Sequence, residues 1–111
     1  MKNTLDIISK TLDKNFDTLL KEAFGRSLKE LREYCGITQR ELADFTNIPH
    51  QSISVYERGT NAPTITQAYK IAFYFNLTID DFIIYGIEYD ILKEDLEYKS
   101  ITDKYDANNK D

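Results

Sequence analysis

Between Leu5 and Phe24 the apolar residues Leu5, Ile8, Leu12, Phe16, Leu19, Leu20, Ala23 and Phe24 return at helical spacing, with Asp and Lys between them. That pattern lines one face of an amphipathic helix. A second series, Leu28, Leu31 and Cys35, carries the pattern on to Gly36. Gly25 stands between the two and is expected to end or bend the first helix, and Gly36 to close the second in a left-handed conformation.

From Gly36 to Gly59 the pattern resolves into two short helices set against each other across a turn. Leu42, Ala43, Phe45, Ile48, Ile53 and Tyr56 fall on facing sides, whereas Gln39, Arg40, His50, Gln51, Ser52, Val55 and Arg58 fall outside that face. Thr38 with Glu41 reads as a capping box, which starts the first of these helices at Gln39. It is expected to end near Thr46. Asn47 suits a turn that needs positive φ, Pro49 suits the first position of the second helix because its missing N–H is no loss there, and Gly59 stops that helix. Two helices joined this way are the layout of a DNA-reading helix-turn-helix.

Downstream, Thr60 to Pro63 form a polar connection, and Thr64 with Gln67 as box partner starts a helix with Ile65, Ala68, Ile71, Ala72 and Phe75 on its apolar face. Asn76 ends it. Thr78 caps a last short helix whose first turn holds Asp80 and Asp81 and whose anchors are Phe82 and Ile83. After Gly86 the pattern suits strand or helix, and a helix from Tyr89 to Lys99 is preferred; the Asn-, Asp- and Lys-rich residues beyond Tyr105 are expected to be disordered. The fold class is all-α. It divides into an amphipathic helix at 1–25, a compact five-helix unit at 26–86 and an acidic extension at 87–111.

The 111 residues suffice for one domain with a modest core. No apolar run approaches the roughly 20 residues of a membrane span, and the start lacks the pattern of a signal peptide, so a cytoplasmic location without membrane contact is expected. Cys35 and His50 are the only residues of their kind. Cys35 is read as a small apolar residue near a helix end rather than a redox or nucleophilic group, and no ligand spacing suggests a metal or other cofactor. Nor does any nucleophile–base or carboxylate constellation suggest an enzyme.

A formal charge of −5 argues at first against a polyanionic partner. Its distribution changes that. Residues 26–86 carry six basic against seven acidic side chains, whereas residues 87–111 carry four against eight, so the tail holds nearly all the excess.

TQRELA at 38–43, ISVYERG at 53–59 and LTIDDF at 77–82 stand in one collinear run within residues 26–84. This run resembles the five-helix DNA-binding domain of the lambda-repressor-like, or xenobiotic-response-element, helix-turn-helix transcription regulators. The resemblance implies that the helix at residues 49–58 enters the major groove, with His50, Gln51, Ser52 and Val55 at base edges. Gln can donate and accept together on adenine, His can donate to guanine or phosphate, and Val can pack on a thymine methyl. It also implies phosphate contacts from Gln39, at a helix N-terminus, and from Arg40, Arg58, Thr60 and Asn61. Arg32 and Glu57 match a structural ion pair of that family. Many members carry Arg or Lys where this chain has His50 and Val55, so a single copy should grip DNA weakly.

A regulator of this kind implies a homodimer on an inverted-repeat operator, most simply a repressor, with dimerisation expected through one or both flanks. Tyr56, Tyr69, Phe73, Tyr74 and Phe75 are read as core or interface packing rather than base-stacking groups. The alternative is a helix-turn-helix scaffold that mainly binds protein, an antirepressor, an inducer or a toxin partner.

Overall fold

The computed structural model describes residues 16–92 and 99–110. Among them are six helices and no strand: α1 (Phe16–Tyr34), α2 (Gln39–Thr46), α3 (His50–Arg58), α4 (Ile65–Tyr74), α5 (Ile79–Leu92) and α6 (Ile101–Asn109). The apolar positions Leu5, Ile8 and Leu12 lie outside the described residues, as does Leu96 in the helix expected from Tyr89 to Lys99.

Local signals place most of the boundaries. Thr38 accepts from the Glu41 N–H at 3.0 Å while the Glu41 carboxylate accepts from the Thr38 N–H at 2.9 Å, a complete capping box at the start of α2. Asn47 closes α2 with φ 55°, in the left-handed region that Asn tolerates. Pro49 sits at the cap of α3 and not inside it; its carbonyl accepts from the N–H groups of Ser52 and Ile53. The box expected at Thr64 is half formed. Thr64 accepts from the Gln67 N–H, but the Gln67 side-chain oxygen is buried without a partner among the described residues.

Gly25 was expected to end or bend a helix and does not, and the helix after Thr78, expected to be short, runs on through Gly86. Gly25 lies within α1, which runs unbroken from Phe16 to Tyr34, and Gly86 lies within α5. The reason is close approach: a Cβ on Gly25 would run into the Tyr56 carbonyl oxygen of α3, and one on Gly86 into the Ala23 backbone of α1. Each glycine costs helix propensity of about 1 kcal/mol. In return, α1 lies directly against both α3 and α5, its two most extensive neighbours.

The core gathers around α1. Leu28, Leu31, Leu42, Ile53, Ile71, Phe75 and Phe82 are fully buried, and Phe24 stacks on Phe82 with ring centroids 4.9 Å apart. Ser27, buried among them, donates to the Phe82 carbonyl at 2.7 Å, so its hydroxyl is satisfied.

The chain end also departs from expectation. Residues beyond Tyr105 continue α6 to Asn109, and this helix packs on α1 and α5. Ile101 is fully buried, Tyr105 sets its ring edge-on to Phe75 at 6.1 Å, and Tyr34 donates to Asp106 at 2.5 Å. Asn108 and Asn76 exchange side-chain-to-carbonyl bonds at 2.9 and 3.1 Å, and Asn109 donates to the Phe75 carbonyl at 3.1 Å. These asparagines serve carbonyls at the end of α4 that its own helix leaves without partners.

Candidate nucleic-acid interface

Helix α3 is fixed from behind. Arg32 of α1 grips the Glu57 carboxylate with two bonds, Nε at 2.6 Å and a terminal nitrogen at 3.0 Å, and its other terminal nitrogen donates to the Ile37 carbonyl at 2.8 Å. Only 3% of the Glu57 side chain is exposed. A charge so enclosed needs this pairing, and the bidentate fork supplies it with geometric specificity. Bonding to Glu57 holds the Arg32 guanidinium above its ordinary pKa.

Gln39 joins the same clamp, its side-chain nitrogen donating to Glu57 at 3.0 Å. That nitrogen is therefore engaged inside the domain, and what Gln39 presents outward is its backbone N–H at the first turn of α2. The neighbouring Thr38 N–H is already taken by Glu41.

On the outer side of α3 an open groove of about 420 Å³ is lined by Gln51, Ser52, Val55, Tyr56, Asn61 and Ala62. It brings together three of the four residues expected at base edges, with Asn61 at its border. His50 does not line it; it stands half-buried at the first position of α3. Gln51 is exposed, and among the described residues the side chains of His50, Gln51 and Ser52 make no hydrogen bond to the rest of the protein. Val55 packs partly on the core, so one side of its side chain remains for the groove.

Arg58, in the last turn of α3, donates to Ser54 at 2.6 Å, which holds the guanidinium along the helix. Thr60 reaches back to the Val55 carbonyl at 3.3 Å, and Arg40 is exposed on α2. Sequence reasoning missed Ser54, Tyr56 and Ala62 as parts of this surface. The four-residue spacing from Ser54 to Arg58 was a usable signal; Tyr56 was assigned wholly to the core because it is mostly there, at 7% exposure.

Comparison with known proteins decides what this surface belongs to. The sequence profile of the helix-turn-helix family matches residues 28–82, from the middle of α1 into α5. The chain is also 38% identical over 61 residues to an uncharacterised HTH-type transcriptional regulator of Archaeoglobus fulgidus, a match covering 55% of this chain and 87% of that relative. This chain belongs to the helix-turn-helix family of transcription regulators.

Other family members are similar over the same region. The HTH-type transcriptional regulator ImmR of Bacillus subtilis is 34% identical over 58 residues, 52% of this chain and 46% of ImmR, and PuuR of Escherichia coli is 29% identical over 58 residues, 52% of this chain and 31% of PuuR. As a helix-turn-helix regulator the protein binds DNA to control transcription and is not an enzyme. Among the described residues no helix is long and apolar enough to cross a membrane, and no group of three His, Cys, Asp or Glu could hold a metal ion.

Proposed function

We propose that this helix-turn-helix regulator is a dimeric repressor that reads a short inverted repeat through α3. His50, Gln51, Ser52 and Val55 would meet base edges, while Arg40, Arg58, Thr60, Asn61 and the Gln39 backbone N–H would meet phosphates. The observation that carries this reading is the groove of Gln51, Ser52 and Val55 on a helix clamped by Arg32 and Glu57. Side chains without internal partners on a rigid element suit recognition.

The scarcity of cations supports the dimeric part. Arg40 and Arg58 are the charged ligands proposed for one copy, and so few ionic contacts give weak, sequence-independent grip. Two copies on two half-sites multiply that grip by holding the second at high effective concentration. Repression is the simplest outcome for a regulator occupying promoter DNA, and residues 26–86 form the unit proposed to bind it. Selection from random duplexes tests the reading: an enriched sequence with two-fold symmetry is expected. Recovery of no enriched sequence would favour the alternative, a scaffold that binds an antirepressor, inducer or toxin partner.

A further inference from the structure

We infer that the outer face of α4 is the surface on which a second copy of this chain docks. Ile65, Tyr69 and Phe73 recur every fourth residue and form one stripe along α4, with exposures of 73%, 48% and 74%. Tyr69 and Phe73 touch, with ring centroids 5.6 Å apart. Phe45 of α2, 58% exposed, stacks at 5.6 Å on Tyr74, which is 40% exposed, and so widens the apolar surface from α4 onto α2.

The extent of this surface sets its occupant. Side chains of this size present on the order of 150–250 Å² each when free, so these five at their observed exposures leave roughly 500 Å² in water. That is at the upper end for the largest patch of a monomer, about 300–600 Å², and most of the roughly 800 Å² that each partner contributes to a stable complex. Aromatic anchors also lose little rotamer freedom on docking.

The charges around the patch make it complementary to itself. Lys70 lies on α4 beside the stripe, near the Asn47 carbonyl at 3.4 Å, while Glu41 and Asp44 are exposed on α2 beside Phe45. Across a two-fold axis that sets α4 of one copy against α2 of the other, Lys70 would face these carboxylates. The C-terminal flank is otherwise engaged, since α6 buries Ile101 and bonds α4 within its own chain.

Position fits as well. Asn61 and Ala62 border the recognition groove, and Ile65 follows three residues later, so the stripe starts at the edge of the DNA-facing side.

This inference rests on the two-fold reading of the proposed function, and sedimentation of the full chain with Phe73→Glu, Ile65→Glu and the remote control Lys29→Glu separates the two. A dimeric wild type is expected, with the dimer Kd raised more than about tenfold by either α4 variant and unchanged by Lys29→Glu, while circular dichroism stays native. A wild-type dimer that both α4 variants leave intact would overturn the face but not the dimer. A wild type that stays monomeric with and without operator DNA would overturn both.

Discussion

The backbone of Gly25 in α1 lies directly against the carbonyl oxygen of Tyr56 in α3, with no room for a methyl group between them. Gly25→Ala gains helix propensity but must push the two helices apart. The expected net result is a loss of about 1–3 kcal/mol in urea unfolding. Because the shift falls on α3, the helix proposed to meet DNA, DNA binding should weaken beyond what the loss of folded protein accounts for, which titration at low temperature would reveal.

Removing the clamp has a larger effect. Arg32→Ala leaves the Glu57 carboxylate enclosed with only Gln39 donating to it, at an expected cost of about 3 kcal/mol. Replacing both residues by Met should recover much of that loss, since the buried charge leaves with its partner. Denaturant curves of the two single variants and the double variant measure this. A double variant as unstable as Arg32→Ala would mean that the pair acts through packing instead.

On DNA, Gln51→Ala and Arg58→Ala should differ in kind. The first is expected to relax preference at one base pair by about 1–3 kcal/mol, the second to weaken all sequences alike and flatten the salt dependence. Binding to the selected operator and to single-base variants, at two salt concentrations, distinguishes them. Equal and uniform losses would refute the proposed division of contacts.

The terminal helix should be worth real stability. Ile101→Ala empties a fully buried site and is expected to cost about 2–4 kcal/mol, read from thermal or urea unfolding. Tyr105 supplies an independent probe of the same contact. Hydrogen bonding to Cys35 and then burial push its hydroxyl up to about 12, so the folded chain holds this proton more tightly than the unfolded chain. The associated stability is complete below the ordinary tyrosine value of about 10 and is lost as pH rises through 12. Tyr34, Tyr74 and Tyr85 are raised as well, so tyrosinate absorbance in Tyr105→Phe should lose its latest-titrating component while other late titration remains.

Glu30 works in the opposite sense at neutral pH. Burial, then the nearby Asp103, raise its carboxyl above the ordinary range against the lowering effect of Arg26. The folded state therefore favours the protonated form, and its relative stability declines as pH rises through the raised value. Glu30→Gln is expected to stabilise the protein slightly at pH 7, by under about 1 kcal/mol, and to have no effect in acid. Melting curves at the two pH values would show whether the gain disappears.

The parts of this structure that were legible in the sequence are those decided within a few residues. The Thr38 box, the left-handed Asn47 and the facing apolar positions of α2 and α3 each depend on neighbours along the chain. Gly25 was misread because a terminating glycine and a close-approach glycine are the same letter, and only the helix across the contact distinguishes them. The order of α6 was invisible for a similar reason. Its asparagines look like a solvated end until Phe75 and Asn76, over 30 residues away, supply the carbonyls they bind. For the candidate interface, Gln51, Ser52, Val55 and Asn61 of the groove were nameable, but Tyr56, Ala62 and the diversion of the Gln39 side chain to Glu57 were not.

Because α3 is held by residues on its inner side, the side chains of Gln51 and Ser52 on its outer side make no hydrogen bond that keeps the helix in place. Exchanging Gln51 and Ser52 for other polar residues should leave the fold and its melting behaviour nearly untouched while redirecting the protein to different target sequences. If α3 reads DNA as proposed, new specificities would arise in this chain by drift at a few positions, without any intermediate that fails to fold.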